Sequence, residues 1–314
     1  MKNQKILITG ASGFVGRHVL TACIEKGYEI IAPSRQPINS DEKLVKNPTI
    51  SNLLDICVLP QFDKSIVTIV HIAGLAHRHD VPLRDYITIN SDHSLEIAKK
   101  AIELGVKRFI FFSSIGVNGN ITSEPFTESD QPAPKEDYAK SKWDAEQKLI
   151  ALSKQSGLEL IIIRPPLIYG PSAPGNFSKL LKLANSGFPI PLGKIDNKRS
   201  FISVFNLSDF VIACIKAEDI IQETFLVSDN QDISTKDLLT LLYKQTGKKN
   251  RLVKVSYRLL HNCLKLVGKS VLLEKLCCNL QVDNQYAMRK LGWSPPYSVE
   301  VSLSMCSLKN KDKY

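Results

Sequence analysis

The stretch ITGASGFVG, which begins at position 8, limits the fold more than any other part of the sequence. It lies between the apolar run KILIT and the helical pattern VGRHVLTACIEKG. In a strand–loop–helix of this type, the first glycine permits a tight turn, the second admits a pyrophosphate, and the third lets helix and strand pack closely. The helix N-terminus then offers N–H groups and a positive dipole end to phosphates. We therefore predict a dinucleotide site in this loop, at Gly10, Gly13, Phe14, Val15 and Gly16.

Apolar strand patterns alternate with helical patterns along the first half of the chain. After KILIT come the strand patterns YEIIAPS, IVTIVHIAG, KRFIFFSS and LELIIIRPP, separated by helical patterns such as SDHSLEIAKKAIELG and YAKSKWDAEQKLIALSKQSG. This alternation implies right-handed crossovers and a parallel sheet with helices on both faces. The predicted fold class is α/β, a doubly wound parallel sheet with a smaller, interleaved C-terminal substrate domain. We predict a dinucleotide-binding domain over 1–166, with its sheet completed by about 201–229, and a substrate domain over 167–200 and 230–314.

The charge is uneven and narrows the class of ligand. The chain has a net charge of +10, and residues 166–314 hold 21 Lys and Arg against 12 Asp and Glu. We expect a cleft for a phosphorylated small molecule in this half, although a solvated basic surface explains part of the excess. The sequence has no aromatic-rich basic stripe or nucleic-acid reader motif, so no nucleic-acid partner is expected.

Other features exclude whole classes of site. No run approaches the roughly 18 apolar residues of a membrane span, and the opening MKNQKILITG is not typical of a secretory signal. The seven cysteines lack regular spacing, which favours reduced thiols and a cytoplasmic location. Because neither CxxC nor HExxH occurs, no metal site is expected.

The motif YAKSK points to a reaction. It places Tyr138 and Lys142 four residues apart, on one face of a helix. Ser114 follows the strand pattern KRFIFFSS, at the edge where doubly wound sheets bind ligands. A serine can donate a hydrogen bond to a substrate oxygen while a tyrosine exchanges a proton with it, and a nearby ammonium lowers the phenol pKa. These side chains suit hydride transfer at a carbinol carbon.

Together these motifs resemble the extended short-chain dehydrogenases/reductases of the nucleotide-sugar epimerase/dehydratase type, near the UDP-glucose 4-epimerase branch. The resemblance covers nearly the whole chain, through TGASGFVG, VHIAG, SSIGVNG, YAKSK, IIIRPPLIYGP, RSFISVFNLSDF and LGWSPP in order. It implies a Rossmann fold, bound NAD or NADP, and a UDP-linked sugar as substrate. It also implies that Ser114, Tyr138 and Lys142 are catalytic. A homodimer is compatible with the sequence.

The resemblance implies further contacts. Ala73 and Gly74 line the cofactor, Asn90 braces the site, and Ser113 is structural. Pro165 and the backbone of Leu167 face the nicotinamide. The implied cofactor contacts also include Tyr138 and Lys142. On the substrate side the implied contacts are Ser114, Asn176, Phe177, Arg199 and Lys275. His77 and His79 follow a strand end, where either a sugar contact or a solvated loop fits.

Two departures from the family pattern concern the cofactor. Where the family often has Gly-Asp-Leu near the adenine, this chain has Asn52 and Leu53. Ser34 and Arg35 lie 18 and 19 residues beyond Gly16, where a ribose-binding carboxylate is usual. Serine and arginine accept a 2′-phosphate that a carboxylate would repel, so NADP is favoured over NAD. The alternative is that Arg35 stacks on adenine with NAD bound.

Three functions fit these residues. The favoured one is reduction of a UDP-4-keto-6-deoxy-N-acetylhexosamine at C4, in synthesis of a bacterial surface polysaccharide such as the lipopolysaccharide O antigen. The alternative is 4-epimerisation of UDP-glucose or UDP-N-acetylglucosamine. The third is a non-catalytic cofactor-binding protein, which would need none of the three catalytic side chains. Dehydration is disfavoured because SSIGVNG carries no acidic residue beside its serines.

One further stretch, YRLLHNCLKLVGKSVLLEKL, is basic and amphipathic. It fits either a helix on a membrane surface or, more commonly, a domain helix with a solvated face.

Overall fold

The computed structural model describes residues 4–38, 43–76, 81–266 and 270–311. The strands are β1 (Lys5–Thr9), β2 (Glu29–Ile31), β3 (Val45–Lys46), β4 (Ile66–His71), β5 (Arg108–Phe112), β6 (Glu159–Arg164), β7 (Leu167–Tyr169), β8 (Phe201–Ser203) and β9 (Gln222–Leu226).

The α-helices are α1 (Phe14–Glu25), α2 (Leu83–Ile87), α3 (His93–Glu103), α4 (Asp137–Ser156), α5 (Gly175–Asn185), α6 (Val204–Lys216), α7 (Thr235–Thr246), α8 (Tyr257–Leu266), α9 (Ser270–Cys277), α10 (Gln285–Leu291) and α11 (Val299–Lys311). Short 3-10 turns cover Leu53–Val58 and Ile115–Val117, and a π-helical turn covers Thr88–Asp92. No helix in the described ranges is long and apolar enough to cross a membrane.

Seven strands form one parallel sheet in the order β3-β2-β1-β4-β5-β6-β9. The order reverses between β1 and β4, and the carboxyl ends of the strands at such a switch point form a crevice. This confirms the predicted fold class. β7 and β8 pair with each other in a separate parallel ribbon.

Each central strand buries both of its faces, because helices cover both sides of the sheet. Ile6 and Ile8 lie in the core on one face, whereas Leu7 between them lies in the core on the other. In the sequence, such strands are continuous apolar runs rather than alternating apolar and polar residues. The helices α1 and α6 pack together on the first face, and α3 and α4 pack together on the second.

The C-terminal part has a core of its own. Tyr169, Phe177 and Phe201 lie there with apolar residues of α7, α8, α9 and α11. Through β9 the chain returns to the main sheet beside β6. After β6, the chain therefore contributes both to the main sheet, through β9, and to this second core.

Candidate active site

The glycine loop between β1 and α1 packs closely against its own backbone and leaves the N-terminus of α1 without a side-chain cap. Gly10 has a φ of +72°, and a Cβ at this position would lie 2.8 Å from the amide nitrogen of Ala73. A Cβ on Gly16 would lie 2.0 Å from the carbonyl oxygen of Gly10. Gly13 caps α1 without a side-chain hydrogen bond, and no acidic residue stands in the first turn. The loop therefore fits the pyrophosphate of a dinucleotide, held by the first-turn amides of α1.

The end of β2 holds Ser34 and Arg35 in different surroundings. Ser34 is buried; its hydroxyl donates to the carbonyl of Gln36 and accepts a 2.9 Å hydrogen bond from Asn47 Nδ2. Arg35 is exposed, and among the described residues its guanidinium has no hydrogen-bond or ion-pair partner. Its five N–H donors are therefore free to bind a phosphate, and its planar guanidinium is free to stack on adenine. Asn47, which also donates to the carbonyl of Ala32, fixes this turn and was not predicted.

Asn52 has a local role in the structure. Its Oδ1 accepts from the amide of Leu54 at 2.9 Å, and it caps the turn that begins at Leu53. Asp55 Oδ2 accepts from the amides of Ser51 and Asn52 at 2.8 and 2.9 Å, and these hydrogen bonds lower the pKa of the Asp55 carboxyl. A contact of Asn52 or Leu53 with the cofactor remains a prediction.

Tyr138 and Lys142 share one face of α4, as the YAKSK spacing predicts. Lys142 Nζ donates to the carbonyl oxygen of Phe112 at 2.8 Å and lies 4.6 Å from the ring centroid of Phe111. Burial lowers the pKa of this ammonium to about 7. The Tyr138 ring makes an edge contact with Tyr86, at 6.3 Å between centroids. Desolvation of its hydroxyl, with a smaller effect of Tyr86, raises the Tyr138 pKa to about 12.

Ser114 stands at the carboxyl end of β5 and begins a short 3-10 turn. Its Oγ accepts from the amide of Gly116 at 3.1 Å, and no described residue accepts its hydroxyl proton. The hydroxyl can therefore donate to a substrate oxygen. The next amide, that of Ile115, donates to the carbonyl of Pro165 at 3.0 Å, and this ties the serine turn to the end of β6. Leu167 continues from there into β7.

Asn90 joins the loop after β4 to α4. Its side chain accepts from the amide of Leu75 at 2.7 Å and donates to the carbonyl of Leu75 at 2.9 Å and to Ser141 Oγ at 3.0 Å. A Cβ on Gly74 would lie 2.9 Å from Asn90 Oδ1 and 3.3 Å from Lys142 Nζ. The loop that holds Ala73 and Gly74 thus lies directly against the Lys142 ammonium, and a larger residue at Gly74 would displace the side chain of Asn90 or Lys142.

A buried hydrogen-bond chain supports the same loop from below. Ser94 Oγ donates to the carbonyl of Asn90 at 2.7 Å and lies 2.9 Å from His71 Nε2, while His71 Nδ1 lies 3.0 Å from Thr9 Oγ1. Thr9 Oγ1 in turn accepts from the amide of Ala73 at 3.1 Å. Since the Ser94 hydroxyl donates to the carbonyl of Asn90, His71 must donate to Ser94 through Nε2 and accept from Thr9 through Nδ1. Burial lowers the His71 pKa to about 3, so the ring is neutral.

A second buried network lies one helical turn beyond Lys142. The carboxylate of Glu146 receives two hydrogen bonds from Arg164, at 3.0 and 2.5 Å, and one from Ser113. Arg164 also donates to Asn118 Oδ1 at 2.9 Å. Sequence reasoning expected a structural Ser113 but missed Glu146. The available signal was its spacing, because Tyr138, Lys142 and Glu146 follow one another at four-residue intervals.

The predicted substrate residues lie on different elements and differ in their surroundings. Arg199 Nη1 donates to the carbonyl of Cys278 at 2.9 Å, and burial lowers the pKa of the guanidinium. Asn176 is exposed in the first turn of α5. Phe177 is only 3% exposed and packs on Tyr169, with the ring centroids 5.7 Å apart, so its side chain is part of the C-terminal core. Their contacts with a nucleotide sugar remain predictions.

For Lys275, His77 and His79, the structure does not describe where the side chains lie. Lys275 lies on α9, but its side chain is outside the described part of the structure. His77 and His79 lie outside the described residues altogether. Within the described ranges, no group of three His, Cys, Asp or Glu side chains is placed to bind a metal ion.

Comparison with known proteins gives consistent matches. Residues 6–227 match the family model described as NAD dependent epimerase/dehydratase family. A UDP-glucose 4-epimerase of Vibrio cholerae is 37% identical over 305 residues, which cover 95% of this chain and 92% of the relative. An N-acetyl-alpha-D-glucosaminyl-diphospho-ditrans,octacis-undecaprenol 4-epimerase of Escherichia coli O157:H7 is 28% identical, over 96% of this chain and 93% of the relative.

Solved structures share the fold. The UDP-glucuronic acid 4-epimerase of Bacillus cereus, in complex with NAD, superposes with a TM-score of 0.80 over 99% of this chain and 97% of its own, at 20% identity. At this identity the likeness concerns the fold alone.

Proposed function

The chain belongs to the NAD dependent epimerase/dehydratase family, and we propose that it exchanges a hydride at C4 of a UDP-linked sugar. One observation carries the proposal: the buried Lys142 ammonium lies against Gly74, one helical turn from Tyr138, at the edge of the sheet that also bears the glycine loop. Ser114, whose hydroxyl proton has no acceptor among the described residues, follows the end of β5 by two residues at the same edge.

The side chains divide the proton chemistry between them. A bound nicotinamide dinucleotide supplies or accepts the hydride at the sugar carbon. Tyr138 exchanges a proton with the C4 oxygen, and Ser114 donates a hydrogen bond to the same oxygen. Lys142 stabilises the phenolate form of Tyr138 because opposite charges favour each other in a low-dielectric site. Asn90 keeps the loop at Gly74 close to that ammonium.

We propose 4-epimerisation as the first reaction. Its support is the 37% identity to a protein named as a UDP-glucose 4-epimerase, over nearly the full length of both chains. In this reaction C4 is oxidised, the keto sugar turns over, and the same hydride returns to its other face. The E. coli relative, named for an undecaprenol-linked N-acetylglucosamine, supports a role in surface polysaccharide synthesis.

Reduction of a UDP-4-keto-6-deoxy-N-acetylhexosamine is the second candidate. Its support is the end of β2, where the exposed Arg35 stands in place of a carboxylate and suits the 2′-phosphate of NADP. A reductase must release its oxidised cofactor in each turnover, whereas an epimerase regenerates its cofactor and gains from retaining it. Cofactor identity and retention therefore separate the two candidates.

The test uses the purified protein in two reactions. UDP-glucose or UDP-N-acetylglucosamine is offered without added cofactor, and a UDP-4-keto-6-deoxy-hexosamine is offered with NADPH or NADH. A C4 epimer formed without net redox change supports the epimerase, and stoichiometric NAD(P)H consumption supports the reductase. Tyr138→Phe serves as the control for both. If neither substrate class reacts while the dinucleotide binds, hydride chemistry on these sugars is refuted in favour of a binding protein.

A further inference from the structure

A surface of the C-terminal part combines cations with exposed apolar side chains. Between positions 238 and 266 the sequence has no Asp or Glu. The same stretch contains Lys244, Lys248, Lys249, Arg251, Lys254, Arg258 and Lys265. Five large apolar side chains in or beside this stretch are exposed, namely Phe188 (73%), Val253 (45%), Tyr257 (41%), Leu259 (56%) and Leu266 (89%).

Backbone hydrogen bonds join the loop that holds Phe188 to the segment that holds Val253. The amide of Ile190 donates to the carbonyl of Arg251 at 2.9 Å, and the amide of Val253 donates back to Ile190 at 2.8 Å. The amide of Gly193 donates to the carbonyl of Val253 at 2.9 Å. The loop 186–194 therefore lies beside the segment 247–255, and α8 begins two residues after that segment. We call 186–194, 247–255 and the outer side of α8 the basic apolar face.

The outer side of α8 has the pattern of an interfacial helix. Arg258, Leu259, Asn262, Lys265 and Leu266 follow the spacing i, i+1, i+4, i+7 and i+8, which places them on one side of the helix, and all are exposed. Leu260 is buried in the C-terminal core and anchors the helix from its other side. Cations beside leucines on one exposed side are typical of helices that lie in a bilayer interface.

The cations of the basic apolar face are available to a partner. Lys244 lies on α7, outside this face, and pairs with Glu300 at 2.7 Å. Within the face, Lys248 donates to the carbonyl of Asn185 at 2.9 Å. No ion pair within the described residues involves the other six cations of the face, which are Lys194, Lys249, Arg251, Lys254, Arg258 and Lys265. The face therefore presents six exposed cations and has no acidic residue on its own segments.

We propose that the basic apolar face binds the surface of an anionic lipid bilayer. Leu259, Leu266 and Phe188 enter the boundary between headgroups and acyl chains, and the cations contact lipid phosphates. A nucleic acid would use the cations but gain nothing from the exposed leucines. A second copy, paired through the same face, would bring the two sets of cations together. Charge complementarity and the leucines thus favour an anionic bilayer, independently of the reaction at C4.

The experiment measures binding of the full chain to vesicles by sedimentation. Vesicles of phosphatidylcholine alone are compared with vesicles of phosphatidylcholine and phosphatidylglycerol. The charge variant is Arg251→Gln, Lys254→Gln and Arg258→Gln together. Near an anionic surface each cation contributes about 1 kcal/mol, so losing three weakens binding roughly 100-fold. The matched control, Lys64→Gln, Lys154→Gln and Lys216→Gln together, removes the same charge from exposed positions elsewhere.

An apolar variant tests insertion separately. Phe188→Ser with Leu259→Ser keeps every cation, and both side chains are exposed, so the fold is preserved. We expect at least a tenfold loss of binding to the anionic vesicles, with sugar turnover unchanged in every variant. The proposal is overturned if the wild type ignores the anionic vesicles, or if the control loses as much binding as the charge variant. Insertion of the apolar side chains is overturned by an unaffected apolar variant, which would indicate that the cations alone contact the lipid headgroups. The bilayer as occupant is overturned by concentration-dependent dimerisation through this face.

Discussion

Glu146→Gln tests whether the buried network below the site controls both stability and the Lys142 charge. Glutamine keeps the length of the side chain but removes the charge that faces Arg164. Glu146 is completely buried and the Arg164 side chain is 5% exposed, so the arginine would keep its charge without a counterion. Breaking a buried pair in this way costs about 3–5 kcal/mol of unfolding free energy. With an unfolding entropy of about 2.1 cal/mol/K per residue, this lowers the Tm of the 314-residue chain by roughly 5–8 °C.

The same substitution should shift the pH profile of turnover. Burial lowers the pKa of Lys142, and Glu146 partly opposes this by stabilising the ammonium. Removing the carboxylate therefore lowers the Lys142 pKa further. The ammonium is present below its pKa and lost as pH rises through it, so activity that needs the ammonium should disappear at a lower pH in Glu146→Gln than in the wild type.

Glu159→Gln is the matched control. Glu159 accepts two hydrogen bonds from Arg108, at 2.9 and 2.6 Å, at the opposite end of the same strands. Arg108 also donates to the carbonyls of Cys214, Ile215 and Ala217, so it keeps partners when the carboxylate is lost. We expect a smaller loss of Tm and an unchanged pH profile. An equal shift of the profile in both variants, or a loss below about 1 kcal/mol for Glu146→Gln, would refute the reasoning.

Three further predictions follow from single side chains. Tyr138→Phe should reduce turnover roughly 10²–10⁴-fold and leave dinucleotide affinity nearly unchanged, because only the exchangeable proton is lost. Steady-state kinetics check the turnover and a binding titration checks the affinity. Activity near the wild-type level would exclude Tyr138 from the proton transfer. Arg35→Ala should weaken NADP(H) binding by about 1.5–3 kcal/mol and NAD(H) binding far less; equal losses would indicate that the arginine only stacks on adenine. The neutral, buried His71 has a pKa of about 3 in the folded protein, against an ordinary value of 6.5. Its contribution to the free energy of unfolding is therefore fully present above pH 6.5 and is lost progressively as the pH falls below that value. At 1.36 kcal/mol per pH unit the loss is about 2 kcal/mol at pH 5; denaturant unfolding of His71→Gln should show a flatter slope over this interval, and an unchanged slope would contradict the assignment.

The sequence predicts the sheet well because its strands are buried on both faces. β1, β4, β5 and β6 therefore appear as uninterrupted apolar runs, which need no knowledge of the partner strand. β3 was not predicted, since only Val45 and Lys46 pair with β2 and two residues carry no periodicity. The pairing of β7 with β8 was also missed, because it joins segments more than thirty positions apart in a region rich in glycine and proline.

The candidate site divides in the same way between local and distant contacts. The spacing of Tyr138 and Lys142 is a property of one helix, so the sequence places them together. The Arg164–Glu146 pair and the burial of Phe177 depend on elements that meet only in the folded chain. Arg199 illustrates the limit most clearly. The family resemblance implies a diphosphate contact for Arg199, and this contact stays a prediction. The hydrogen bond from its guanidinium to the carbonyl of Cys278, 79 positions away, could not be predicted from the sequence.

The pKa shifts of Tyr138 and Lys142 have one cause and together restrict how the proposed reaction can work. Burial raises the Tyr138 pKa to about 12 and lowers the Lys142 pKa to about 7, so each shift disfavours the charged form that the proposed reaction needs. Neither charge is stable alone in these surroundings, but a phenolate and an ammonium one helical turn apart stabilise each other. The two groups should therefore titrate as a coupled pair, with apparent pKa values that belong to the pair. A variant that removes Lys142 should then raise the apparent pKa for phenolate formation well above its wild-type value.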